Sequence, residues 1–251
     1  MQIVGYRPRA DDPAVLQIAS DGRIERVALD PGTEVAYTLG RRHCAGRVDG
    51  DRHEPCDRDS VPYCDRHTDR WPCARCTGDC SLPLDSCREP HAIYLAAFAP
   101  DRFKVGVTRD WRLERRLREQ GADRAAHLRT VENGRRARQI EATIADRVGD
   151  SVRVASKIAG LHRSVDRERW TSLLDAYTVE ERYAFDYGID LDHRPVGETL
   201  ATGRVRACVG RICLIDRANT TVAVDLRDLV GYEVAPEPSD RHGQTDLGAF
   251  G

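Results

Sequence analysis

The chain has 251 residues, 40 % of them hydrophobic and 32 % charged, with a formal net charge of −2. That length supports one large or two small domains around a real core, and the near-neutral balance says little about partners. No run approaches the roughly 18 apolar residues of a membrane helix, so no membrane association is expected.

The opening MQIVGYRPRADD lacks the charged head and apolar stretch of a secretion signal. A cytoplasmic setting is therefore expected, where clustered cysteines usually hold metal rather than disulfides. Arginine outnumbers lysine 37 to 2, a bias that reflects composition and carries no functional reading.

Residues 1–40 form an N-terminal β segment. IVGY, VLQIAS, IERVAL and TEVAYTL alternate like strands, and Asp21-Gly22 is a hairpin signal between two of them. Residues 41–91 hold seven of the nine cysteines and few aliphatics, so they need metal to fold.

Residues 92–184 read strand, strand, helix, strand, helix, followed by a further helix. AIYLAAF and FKVGVT are the first two strands. WRLERRLREQ is a helix with Leu113 and Leu117 at four-residue spacing, stopped by Gly121; AAHLRTV is a third strand. Asn133 caps GRRARQIEATIADRV, whose Ile140, Ile144 and Val148 share one face. RERWTSLLDAY adds a helix with Trp170, Leu173, Leu174 and Tyr177 on its packing face.

Residues 185–240 return to strands in TLATGRVRACV, RICLID, TVAVDL and GYEV, before a frayed tail at 241–251. The units VLQIASDGRIERVALDPGTEVAY and ICLIDRANTTVAVDLRDLVGYEV echo each other loosely, and two such units could pair in one sheet or barrel that joins the termini. Cys208 and Cys213 fall in strand sequence and are expected as core thiols.

Two metal tetrads are expected in the cysteine-rich segment. Cys44, Cys56, Cys64 and His67 form one, with a YCDRH knuckle; Cys73, Cys76, Cys80 and Cys87 form the other, spaced C-x2-C-x3-C-x6-C. A two-residue gap lets two ligands on one turn reach a tetrahedral zinc ion. Two fully ligated structural zinc ions are the expectation; an iron–sulfur cluster, or an interleaved set using His43, His53 or His91, is the alternative.

Residues 102–138 carry twelve Lys or Arg against five Asp or Glu. Such a local basic stretch fits a polyanion-facing surface or a helix face laced with ion pairs. Lys104, one of two lysines, stands in a strand at the start of this stretch.

The block HAIYLAAFAPDRFKVGVTRDWRLERRLREQGA, preceded by YTLGRRHC, the YC knuckle, CARC and SCREP, resembles the domain-of-unknown-function family twenty-seven ninety-seven over roughly residues 30–180. More distantly, IY on one strand and KVG on the next, in the order β-β-α-β-α, is similar to the GIY-YIG nuclease superfamily. The fold class this implies is α+β: a small mixed sheet in a GIY-YIG-like core, preceded by the zinc segment and flanked by N- and C-terminal β segments.

That second resemblance implies a metal-dependent phosphodiester hydrolase acting on DNA or RNA. It assigns Tyr94 as general base, Arg116 as phosphate ligand and Glu141 as ligand of magnesium or manganese. Lys104 stands where the second motif's tyrosine would be, and Gly106 matches its glycine. Ala92 replaces the leading glycine, and no matching asparagine follows Glu141. The residues alone leave plainer roles open: Tyr94 as a packed aromatic, Arg115 as the rival of Arg116, Glu141 as a partner of Arg138, and Trp111 as a packing residue in preference to capping the helix entry or stacking on a base. A non-catalytic zinc-containing nucleic-acid-binding module and a protein–protein adaptor are the alternative functions.

Overall fold

The computed structural model describes residues 1–68, 76–82, 84–218 and 220–236. The expected tail at 241–251 and the ligand Cys73 lie outside the described residues. The first strands are β1 (Gln2–Arg7), β2 (Val15–Ser20), β3 (Arg23–Ala28), β4 (Glu34–Arg42), β5 (Arg47–Asp49) and β6 (Arg52–Glu54). Then follow β7 (His91–Phe98), β8 (Arg102–Arg109), α1 (Leu113–Gln120), β9 (Arg124–Val131), α2 (Gly134–Val148), α3 (Val154–Gly160), α4 (Arg167–Leu174) and β10 (Glu181–Ala184). The last strands are β11 (Val196–Gly197), β12 (Ala201–Val209), β13 (Ile212–Arg217), β14 (Thr220–Asp225) and β15 (Tyr232–Ala235).

The two terminal β segments make one sheet. Its order is β11-β14-β13-β12-β4-β15-β1-β2-β3-β6-β5, and β15 pairs directly with β1. Ile3, Leu16 and Ile18 from one part of this sheet share a core with Val205, Ile215, Val222 and Val224 from another. Residues several strands apart reach a common interior only if the sheet curls over itself. Cys208 and Cys213 face each other across β12 and β13 and are buried there, as core thiols.

The cysteine-rich segment leans on this sheet. β5 and β6 extend its edge through β3, and Ala45 packs with Val4, Ala19 and Val230. This hairpin carries no strand pattern in its residues, because the six of them are mostly charged.

The second sheet has the order β10-β9-β7-β8. Its pairs are all antiparallel, which corrects the expected mixed sheet. The chain leaves β8, runs through α1 and returns as β9 on the far side of β7. Strands β8 and β9 are thus parallel to each other but separated by β7, so no parallel ladder forms.

Strand β7 is central and reads as a nearly unbroken apolar run because both its faces are covered. Ala92, Tyr94, Ala96 and Phe98 face Leu113 and Leu117 of α1. Ile93, Leu95 and Ala97 face Ala137 and Ile140 of α2 and Trp170 and Leu174 of α4. Gly121 ends α1 in the left-handed region at φ 66°, and Asn133 caps α2 by accepting the Arg136 N–H at 2.9 Å.

Candidate phosphate-binding cleft and metal centre

Tyr94 and Lys104 come together through strand register. Tyr94 lies opposite Gly106 and Ala96 opposite Lys104, so tyrosine and lysine are diagonal neighbours on one face of the sheet. Strand β8 is an edge strand that turns Phe103, Val105 and Val107 toward the α2 face and Lys104, Gly106 and Thr108 toward the other. The strand lysine therefore belongs to the open side of an edge strand.

Gly106 makes room for the tyrosine. A β-carbon at that position would stand 2.5 Å from both the Cζ and the hydroxyl of Tyr94, a distance no side chain tolerates. Tyr94 is 2 % exposed, and its hydroxyl accepts a hydrogen bond from Gln120 Nε2 at 2.7 Å. The Gln120 carbonyl in turn accepts from Lys157 Nζ at 2.8 Å. The end of α1 thus holds the phenol from one side and the α3 lysine from the other.

From the opposite direction α2 packs against β8, and Val105 N–H donates to the Gly149 carbonyl at 2.9 Å, closing part of the exposed edge. Ile140 points into the core and its neighbour Glu141 stands at the rim, 9 % exposed. The Oε2 of Glu141 accepts a hydrogen bond from Arg138 Nη1 at 2.6 Å.

Tyr94, Lys104, Arg116 and Glu141 all line one cavity of about 560 Å³. Arg109, Arg112, Arg135 and Arg138 line it too, so six cationic side chains face two carboxylates, Glu141 and Asp150. Arg115, the rival of Arg116, is not among the lining residues; it pairs outward with Glu119 at 3.2 Å. Arg112 and Arg116 also pair with Glu119, at 3.2 and 3.4 Å. Glu119 therefore fixes the arginine side of the cleft from behind. Sequence reading missed Arg109, Arg112, Arg135 and Gln120, because arginines are too common in this chain to single any out.

The titratable groups respond to this setting. Burial raises the Tyr94 phenol above its ordinary value, against the opposing pull of Arg116 and the Gln120 hydrogen bond. Burial lowers the Lys104 amine, and the Arg116 charge lowers it further. The phenol is held as a neutral O–H, while the lysine is shifted toward giving up its proton.

Trp111 departs from its expected packing role. It sits on a 3-10 turn at Asp110–Arg112, 67 % exposed, because the short turn lifts it off the sheet before α1 begins.

The candidate metal centre lies in the cysteine-rich segment. The ligand atoms of Cys44, Cys56, Cys64 and His67 are all within 4.8 Å of one another. His67 Nδ1 is 3.4 Å from the sulfurs of both Cys44 and Cys64, close to the roughly 3.6 Å edge of a tetrahedron with zinc-like bond lengths. Desolvation opposes ionisation of Cys64, yet backbone N–H donors from Arg66 and His67 and the neighbouring Cys44 bring its thiol down to about 6. Three thiols and an imidazole on such spacing fit a zinc ion.

Of the other expected tetrad, the sulfurs of Cys76 and Cys80 are 3.9 Å apart, and both residues and Cys87 line the cleft. The Gly78 carbonyl accepts hydrogen bonds from Arg135 Nε at 3.1 Å and Gln139 Nε2 at 3.3 Å, docking this loop on α2.

A family model described as "Protein of unknown function (DUF2797)" matches residues 61–234. The chain belongs to the DUF2797 family. The DUF2797 match begins later than the motifs suggested and runs on through the C-terminal strands, taking in cleft, second cysteine group and most of the curled sheet's C-terminal half. No curated protein matches the chain, and no solved structure does. Among the described residues no helix is long and apolar enough to cross a membrane.

Proposed function

We propose that this DUF2797 chain is a zinc-stabilised, GIY-YIG-like hydrolase that cleaves phosphodiester bonds in DNA or RNA at the cleft over β8. One observation carries the reading. Four polar residues far apart in sequence line one cavity whose other charged groups are mostly arginines. Such a cavity suits a polyanion backbone, whose binding is driven by phosphate neutralisation.

Phosphodiester cleavage needs an activated water, neutralised phosphoryl oxygens and a stabilised leaving group. Arg116, with Arg109 and Arg112, supplies the fixed positive charge. The resemblance makes Tyr94 the base: burial opposes its ionisation, and the Arg116 charge and the Gln120 hydrogen bond favour it. Glu141 would hold a magnesium or manganese ion, for which one carboxylate with waters and substrate phosphate is an ordinary ligand set. Such an ion supplies charge neutralisation at the phosphate. The second cysteine group, with Cys73, would hold a second structural zinc that braces the loop against α2.

A non-catalytic nucleic-acid-binding module is the second reading, favoured by the Arg138–Glu141 pair, which engages the carboxylate that a metal needs. The cationic surroundings of Glu141 speak against a protein–protein adaptor, for which an acidic face would be the better sign. The test is incubation of end-labelled DNA and RNA with magnesium or manganese, repeated with Glu141→Ala. Cleavage by the natural chain alone supports the hydrolase; equal, salt-sensitive binding without cleavage by either supports the binding module.

A further inference from the structure

We infer that Trp111 is a stacking platform for an unpaired nucleobase at the rim of the cleft, an inference that rests on the phosphodiester reading. Single-stranded nucleic acid is then the substrate class.

Three observations carry it. Trp111 is the most exposed of the large hydrophobic residues among those described, at 67 %, in a chain where the neighbouring strand and helix are well packed. An indole left in water beside a charged groove is an interaction surface rather than a core residue. Second, the ring is held in place. Its Nε1 donates to Glu89 Oε2 at 2.9 Å, Arg109 stacks over it with the guanidinium carbon 4.6 Å from the ring centroid, and Arg112 lies 5.9 Å away. A platform fixed before binding loses little entropy when a base settles on it.

Third, the charge around it is suited to a nucleotide and not merely to an apolar partner. Arg109 and Arg112, the two residues beside the indole, also line the cleft with Tyr94 and Lys104. A strand whose phosphates occupy that cleft would have bases within reach of the rim. Aromatic stacking is tolerant of sequence because every base has a π face, and it requires that the base be unpaired. A fully paired duplex offers phosphates to the cleft but no face to Trp111.

The test uses the full chain with calcium in place of magnesium, titrated against labelled oligonucleotides of one length as single-stranded DNA, single-stranded RNA and blunt duplex DNA. Trp111→Ala is expected to weaken single-strand binding by about tenfold. It is expected to leave duplex binding within about twofold and the dependence on salt unchanged. Trp111→Phe, which keeps a π face but loses the bond to Glu89, is expected to restore most of the loss. The DNA and RNA arms decide which strand the platform takes. Equal losses on single strand and duplex, or none on either, with salt-sensitive binding retained, would overturn the stacking role while leaving the phosphate cleft standing. No binding of any oligonucleotide by the natural chain would overturn both.

Discussion

Gly106 and Tyr94 are opposite each other in the β7–β8 ladder, and the phenol occupies the volume that a side chain at 106 would fill. The pairing turns a buried strand tyrosine into a residue whose hydroxyl reaches the edge of the sheet. Cleft and sheet are thus one construction: the missing side chain on the edge strand is what admits the aromatic from the central one.

Gly106→Ala tests this directly. The added methyl must push the ring aside, which is expected to cost about 1–3 kcal/mol of stability, as overpacking does. The hydrogen bond from Gln120 would be lost with it, so activity should fall further than stability. Urea denaturation beside a cleavage assay separates the two. A variant of natural stability and activity would show that the ring has room the structure does not give it.

Lys157 offers a pH-dependent test. Burial, aided by the charge of Lys104, brings its amine down to about 7. Between that value and the ordinary one near 10.5 the unfolded chain holds a proton that the folded chain does not, so on this account stability rises with pH across that window. At and below neutral pH the penalty is on the order of 5 kcal/mol. Lys157→Met removes the penalty but also the hydrogen bond to Gln120 and the contact with the Phe98 ring at 3.9 Å. The expected outcome is a stability difference between variant and natural chain that shifts in favour of the natural chain from pH 7 to 10. A difference constant over that range would contradict a depressed amine.

The metal centre makes a separate prediction. Cys64→Ser is expected to lower the zinc content by one ion per chain and to cost several kcal/mol, since structural zinc contributes its binding energy to folding. Elemental analysis and thermal denaturation read the two effects. With both tetrads filled the natural chain should carry two ions; one would confine zinc to the Cys44, Cys56, Cys64 and His67 cluster.

Glu119 gathers Arg112, Arg115 and Arg116. Glu119→Gln is expected to loosen all three, tightening oligonucleotide binding by a fewfold while slowing cleavage by about tenfold as Arg116 loses its fixed position. Binding titrations and single-turnover rates on one substrate check the opposite signs. Parallel changes in both would deny Glu119 a positioning role.

Much of this was legible in the residues. The alternation of VLQIAS and IERVAL, the apolar run AIYLAAF, the Asn133 cap and the Gly121 stop each mark local physics, and the elements follow them. So does the gathering of Cys44, Cys56, Cys64 and His67 into a cluster that could hold a metal, whose knuckle spacing is itself a local signal. What depends on tertiary placement was not legible. Neither the exposure of Trp111, the hold of Gln120 on Tyr94 nor the burial of Lys157 leaves a mark in sequence, because each arises where α1 and α3 meet a sheet that precedes or separates them. Arg109 and Arg112 were hidden by abundance, in a chain where arginine is the default cation.

The measurement that tests the central claim most directly is the single-turnover rate of oligonucleotide cleavage with magnesium for Tyr94→Phe, Lys104→Met, Arg116→Ala and Glu141→Ala, singly and in pairs. If the four act as one unit, each single change should slow cleavage by about 100-fold or more, and a second change should add little. Cleavage that persists at the natural rate in the single variants, or that is absent from the natural chain altogether, would contradict the account.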